Sequence, residues 1–204
     1  MQASPSRFDP VAVALATDGW CVMSDLLPVE ATMALSAECA ALHAARRMTP
    51  ARVGGERAVT PLRGDRTRWF EMQALSAAQQ PFVAAIEALR HALNQALMLG
   101  SVESEAHYAV YPPGARYARH LDRLRHSDAR VLSAVYYLNP SWNDADGGAL
   151  RLYLADGTHR DVYPRAGTLV LFLSGDFEHE VLPATRERMS IACWMRRREL
   201  NALP

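Results

Sequence analysis

The chain contains no lysine. Its 22 basic residues are all arginine, which excludes Schiff-base catalysis, pyridoxal phosphate anchoring and the phosphate-loop lysine, since each needs a primary amine on a side chain. Cysteine is scarce as well. Cys21, Cys39 and Cys193 form an odd set with no Cys-x-x-Cys pair, which argues against a disulfide framework or a thiolate zinc site and for a reduced, cytoplasmic protein. No run of about 18 apolar residues occurs, and the opening MQASPSRFDP has no apolar stretch behind basic residues. Neither a membrane span nor a secretory signal is therefore expected. An excess of one charge is also missing, because 22 acidic residues cancel the arginines. No global field therefore draws the chain to nucleic acid or to an anionic membrane, and any such contact would have to be a local patch.

What is present is 204 residues, half of them hydrophobic, enough for one domain over 1–204 whose core needs no disulfide or metal. Residues 1–100 read as mostly helical support. Asp9-Pro10 supplies a cap and a first-turn proline for a helix to about Ala16, and Trp20-Cys21-Val22-Met23 has a strand-like composition. Pro28 opens an alanine-rich helix to about Arg47. A third helix covers about 75–99, with Pro81 marking a break or a fresh start. Between the second and third helices, glycine, proline and arginine gather without periodicity. The spacing predicts a long exposed loop over about 50–68, read either as a lid or as plain disorder.

From about residue 105 the pattern changes to short β-type runs at 107–111, 116–122, 130–138, 149–154, 160–163, 168–173, 178–182 and 189–195. This spacing predicts a sandwich or barrel over 105–198, mainly β, buttressed by the N-terminal helices in an α+β arrangement. Asp146-Gly147-Gly148 and Asp156-Gly157 mark tight turns, the second placed for a hairpin.

His120 and Asp122 stand two apart on the second of these strands, so both project from one face. A surface His–Asp hydrogen bond would give the same pattern. His179 opens another strand, and two histidines with one carboxylate form the facial triad of a non-haem Fe(II) site, which leaves coordination positions open. Arg188 begins a strand that continues with Met189, Ile191, Cys193 and Met195. A buried arginine needs an anion that fits its planar fork, and a ligand carboxylate, a structural Asp or Glu, and a simple solvent-facing position all remain open at this point. His43, His91, His107, His126 and His159 lack ligand spacing.

The ordered series His120-x-Asp122, His179, Arg188, Trp194 resembles the 2-oxoglutarate and Fe(II)-dependent dioxygenase superfamily, and within it the oxygen-sensing type of prolyl 4-hydroxylase and its bacterial relatives. Supporting stretches are Leu62-Arg-Gly-Asp-Arg-Thr-Arg-Trp69, Tyr111-Pro-Pro-Gly114, Tyr117-Ala-Arg-His-Leu-Asp122, Val135-Tyr-Tyr-Leu-Asn-Pro-Ser-Trp142 with Arg130 before it, Gly147-Gly-Ala-Leu-Arg151 and His179-Glu-Val-Leu-Pro-Ala184. The resemblance implies a double-stranded β-helix, a jelly-roll-like barrel. It implies Fe(II) on His120, Asp122 and His179, and 2-oxoglutarate held at its far carboxylate by Arg188 and the Tyr137 hydroxyl, with Tyr111 lining that pocket. Tyr136 and Tyr137 face opposite sides of one strand, and the match favours Tyr137. Trp69 and Asp65 correspond to a loop that folds over the substrate, Asp65 fixing the loop and Trp69 packing on the target; Tyr117, Arg130 and Trp194 correspond to the mouth of the site.

The implied activity is dioxygen-dependent hydroxylation of a prolyl residue in a protein, releasing succinate and CO2, with ascorbate as an accessory reductant and a translation factor among the implied targets. Two alternatives stand beside it: the same chemistry on a free amino acid or other small molecule, and a sensor that binds metal or 2-oxoglutarate without turnover. The sequence departs from the family at Pro112-Pro113 and lacks one residue between Tyr111 and His120, which bears on substrate fit at that rim.

Overall fold

The computed structural model describes residues 6–51, 63–123 and 127–198. Three helices precede most of the sheet: α1 (Asp9–Asp18), α2 (Val29–Ala44) and α3 (Gln79–Leu97). In α3 the apolar residues Phe82, Ile86, Leu89 and Leu93 recur at helical spacing, and all four are buried, which gives one stripe to lay on a sheet. α2 does the same with Thr32, Leu35, Ser36 and Cys39. Pro81 is the third residue of α3, where a missing N–H leaves no bond unmade, so it marks a start and not a break. Asp9 is inside the first turn, with Phe8 at the cap position. Its carboxylate accepts the Ser6 N–H at 2.9 Å, so it does not cap the helix as the sequence suggested.

Eleven strands follow the chain as β1 (Trp20–Met23), β2 (Thr49–Pro50), β3 (Arg66–Trp69), β4 (Ser101–Tyr111), β5 (Tyr117–His120), β6 (Arg130–Tyr137), β7 (Leu150–Tyr153), β8 (His159–Val162), β9 (Leu169–Leu173), β10 (His179–Val181) and β11 (Arg188–Arg197). They form a seven-stranded sheet in the order β1-β9-β6-β11-β4-β3-β2 and a four-stranded sheet in the order β5-β10-β7-β8. All strand pairs are antiparallel. The chain passes between the two sheets repeatedly, which is the double-stranded β-helix expected.

Alternation along the strands of the large sheet divides the interior in two. Tyr108, Val110, Leu132, Ala134, Tyr136, Leu169, Leu171, Ile191 and Cys193 pack with α1, α2 and α3 in one buried cluster, whereas Ala109, Tyr111, Tyr137, Val170 and Phe172 pack with Leu150, Leu152 and Val181 of the small sheet in another. Period two thus sends each strand's even and odd residues to different cores. The apolar residues after Arg188 belong to the helix-side core, and Arg188, Ser190 and Trp194 face the barrel interior.

Two expectations need correction. Arg66–Trp69, at the end of the segment read as a loop, is a strand paired with β4, and Thr49–Pro50 pairs with it in turn. The rest of the segment read as a lid or as plain disorder, residues 52–62, lies outside the described residues. Arg63 then bridges Tyr117 of the small sheet, and Gly64 N donates to Arg116 O at 3.0 Å. Segment 63–69 therefore ties the edge of one sheet to the other.

Candidate metal and co-substrate site

β5 and β10 are neighbours in the small sheet, with His179 opposite His120. That register brings the two imidazoles together, ring centroids 4.2 Å apart. Asp122, just past the end of β5, lies 3.6 Å from His120 Nε2 and 3.7 Å from His179 Nε2. One ligand atom from each of the three falls within 4.8 Å of the others. The face is prepared for metal by its hydrogen bonds. Nδ1 of His120 donates to Ala118 O at 2.8 Å and Nδ1 of His179 to Phe177 O at 3.1 Å, so each ring keeps Nε2 as the free lone pair. Burial holds His179 below the ordinary imidazole range despite the Asp122 charge, which leaves it neutral, as a ligand must be.

Asp122 is oriented from behind. Burial alone would raise its carboxyl, but the neighbouring histidines and hydrogen bonds outweigh it and hold Asp122 far below the usual carboxylate range. Ser133 Oγ donates to Asp122 Oδ2 at 2.7 Å, and since that hydroxyl's proton is committed, Ser174 Oγ donates to Ser133 Oγ at 2.8 Å. Both serines are fully buried. The sequence offered no sign of them; only the pairing of β6 with its sheet neighbour β9 brings Ser133 level with Phe172 and near Ser174.

Deeper in the same cavity Arg188 is 1 % exposed. Its Nε donates to Gly148 O at 2.9 Å and Nη1 to Ser190 Oγ at 3.3 Å, while Nη2 has no partner. No carboxylate of the described residues meets it, which removes the structural ion pair as an explanation. Tyr111 and Tyr137 flank the guanidinium, each ring centroid 5.1 Å from Cζ. Burial pushes the Tyr137 phenol up to about 12, and Arg188 beside it lowers it only in part, so the hydroxyl keeps its proton. It makes no hydrogen bond of proper geometry. A buried cation and a buried hydroxyl, both short of partners, call for an anion between them. Tyr136 faces the helices and bonds Thr32, whereas Tyr137 lies on the opposite side of β6 beside Arg188.

The residues assigned to the mouth divide into two sets. Tyr117 and Trp194 line the cavity together with Arg63 and His107. Trp69, 47 % exposed, meets the His107 ring edge-on at 4.7 Å and lies 6.1 Å from Trp194. Asp65 and Arg130 stand behind. The Asp65 side chain is fully buried and takes two bonds from Arg63, at 2.7 and 3.0 Å; Arg130 binds Glu105 through two nitrogens and lies 3.8 Å from the Trp194 ring centre. His107, set aside for lack of ligand spacing, forms part of the cavity wall. Its missed signal was its place two residues before Ala109 and four before Tyr111, on the inward face of β4.

The site residues fit iron and 2-oxoglutarate: an open three-ligand face at one end and an unsatisfied Arg188 and Tyr137 at the other. A family model described as the 2OG-Fe(II) oxygenase superfamily matches residues 106–196. The crystal structure of a Pseudomonas putida prolyl-4-hydroxylase is 48 % identical with a TM-score of 0.85, over 93 % of this chain and 98 % of that one. A prolyl hydroxylase from Trichoplax adhaerens, solved with a hypoxia inducible factor oxygen degradation domain peptide fragment, is 27 % identical with a TM-score of 0.84, over 91 % of this chain and 87 % of that one. Human Egl nine homolog 1 is 29 % identical over 191 residues, 86 % of this chain and 43 % of that protein. The first few curated relatives are longer, and the chain spans only 13 to 54 % of their length. With its metal face, its carboxylate cradle and a near-complete match to a bacterial relative at 48 % identity, the chain belongs to the 2OG-Fe(II) oxygenase superfamily, among relatives that are prolyl hydroxylases.

Proposed function

We propose that this chain is a 2-oxoglutarate- and Fe(II)-dependent dioxygenase that hydroxylates a prolyl residue of a polypeptide at its 4-position, consuming dioxygen and releasing succinate and CO2. The observation that carries the reading is the pairing, within one cavity, of the His120, Asp122 and His179 face with the partnerless Arg188 Nη2, beside which the buried Tyr137 hydroxyl also lacks a partner. Bound iron and 2-oxoglutarate together supply the oxidising power that puts one oxygen atom on an unactivated C–H bond.

The chain's own work is positional. His120, Asp122 and His179 hold one side of the metal and leave the other open. Arg188 takes the far carboxylate of 2-oxoglutarate on its fork, and Tyr137 donates its retained proton to the same group. Tyr111, Ala109 and Val181 wall the space between and exclude water, which strengthens both contacts. At the mouth, Trp194, His107 and Trp69 present aromatic surface to the target ring, and Tyr117 narrows the entrance. Arg130 serves by holding Trp194, and Asp65 by holding Arg63.

The relatives support a polypeptide substrate, the Trichoplax enzyme having been solved with a peptide fragment. A translation factor as the target and ascorbate as accessory reductant belong to the same proposal by resemblance. A cytoplasmic location agrees with three cysteines that stay as free thiols.

The test is to supply purified protein with Fe(II), 2-oxoglutarate and an extract lacking its own copy, then to search proteins for a proline heavier by one oxygen atom. Succinate release coupled to a modified prolyl peptide is expected. Succinate release that responds only to free amino acids would move the small-molecule reading ahead, and none under any condition would leave a binding protein.

A further inference from the structure

The two histidines of the metal face are secured differently. His179 is 4 % exposed and packs against Phe172, ring centroids 4.7 Å apart, so the core fixes its plane. His120 ends a four-residue strand at the edge of the small sheet, with its side chain 18 % exposed. Its hydrogen bond to Ala118 O settles the tautomer but leaves the ring free to rock about that bond.

A stack of side chains supplies the missing restraint. The Tyr117 ring lies on the His120 ring with centroids 3.6 Å apart and planes 19° from parallel. On Tyr117 in turn sits the Arg63 guanidinium, Cζ 4.8 Å from the ring centre. Arg63 does not wander, because both its Nε and Nη2 are held by the buried Asp65 carboxylate, and its backbone bridges Tyr117. Arg63 thus has two of its three guanidinium nitrogens taken by a carboxylate, which already balances its charge. What it offers is a flat cation pressed on an aromatic face.

We infer that Arg63 is a positioning residue for the metal site: clamped by Asp65, it seats Tyr117, and Tyr117 sets the imidazole plane of His120. The inference rests on the metal site proposed above. It assigns Tyr117 a part at the metal in addition to its place at the mouth, and it ties segment 63–69, which carries Trp69, to a metal ligand.

The test is a titration of the metal-free protein with Co(II), read by the visible absorption of the bound ion, with thermal unfolding of each metal-free variant alongside. Arg63→Gln and Tyr117→Ala should each weaken cobalt binding about tenfold and alter the band shape while the metal-free protein stays folded, Arg63→Gln at a lower melting temperature because it leaves the buried Asp65 carboxylate without its cation. Tyr117→Phe, which keeps the ring, should bind as the wild type does. Should Arg63→Gln fail to fold, Arg63→Lys decides in its place, since it keeps the charge and loses the flat face; a severalfold loss of affinity is expected. Wild-type cobalt affinity in the folded Arg63 variant, or in Tyr117→Ala, overturns the inference. Failure of the unmodified protein to bind cobalt would instead sink the metal site itself, so the two failures are distinguishable.

Discussion

At the scale of single residues the site depends on buried polar groups that the fold leaves short of partners. Arg188 is the plainest case, a buried cation with one nitrogen held back for a ligand. Arg188→Lys keeps the charge and loses the fork. The Michaelis constant for 2-oxoglutarate should rise roughly 10- to 100-fold, the value of one or two charge-assisted hydrogen bonds, with Mn(II) affinity unchanged; an unchanged constant in steady-state assays would return Arg188 to a structural role. His107 shows the opposite charge preference. Burial, with the Arg63 charge nearby, depresses its imidazole from 6.5 to about 4, and its Nδ1 donates to Tyr108 O. The folded protein therefore keeps His107 neutral down to about pH 4, while the unfolded chain takes up a proton below about 6.5. Protons favour the unfolded chain only between those values, so His107 removes stability as pH falls through that window and has no effect above it. The shift corresponds to about 3 kcal/mol at most. Urea midpoints at pH 7 and pH 4.5 should fall further in the wild type than in His107→Leu. Equal losses would show that other groups govern the acid limb.

Elements were legible where their pattern was self-contained and obscure where pairing made them. β1, β6 and β9 are mostly apolar runs that include β-branched or aromatic residues, and they stand where the sequence placed them. β3 does not: of Arg66-Thr-Arg-Trp69 only Thr67 is buried, and its strand character comes from the ladder with β4. The first half of β4, Ser-Val-Glu-Ser-Glu, was missed for the same reason, since β11 imposes extension on a polar stretch. The Asp146-Gly147-Gly148 turn could be read as a turn but not as part of the site. Gly148 has φ 70°, and a Cβ there would stand 2.9 Å from Ala184 Cβ, 3.1 Å from Trp142 and 3.4 Å from Arg188 Cδ; its carbonyl also accepts from Arg188. Gly157, in the β7–β8 hairpin, has φ 81° and nothing within 4 Å. Comparing the two separates backbone strain from crowding. Gly157→Ala should cost about 1 kcal/mol and leave 2-oxoglutarate use intact. Gly148→Ala should cost at least about 2 kcal/mol and raise the 2-oxoglutarate constant, because crowding against Ala184 and Trp142 shifts the Gly148 carbonyl that holds Arg188. Equal costs with equal kinetics would mean that the turn and the cradle are independent.

For the whole molecule, the division of the interior into a helix-side core and a sheet-between-sheet core explains which parts of the site the sequence disclosed. His120, Asp122, His179 and Arg188 are chemically rare on strands and fall at a recognisable spacing. Ser133, Ser174 and Arg63 are ordinary residues whose roles exist only because segments far apart in sequence meet in the fold. The same division predicts how metal and stability are coupled. The larger core, from Phe8 through Met195, contains none of the three ligands, so folding does not wait for the ion and the metal-free protein should be stably folded. Metal adds stability only by mass action. Mn(II) at 100 times its dissociation constant should contribute about 2.7 kcal/mol, which for a chain of this length raises the melting temperature by about 5–10 °C. In His179→Ala the metal-free protein should still fold, as circular dichroism would report, and the rise on adding Mn(II) should vanish. A metal-free protein that is unfolded, or a His179→Ala variant that Mn(II) stabilises as much as the wild type, would count against this separation of core and site.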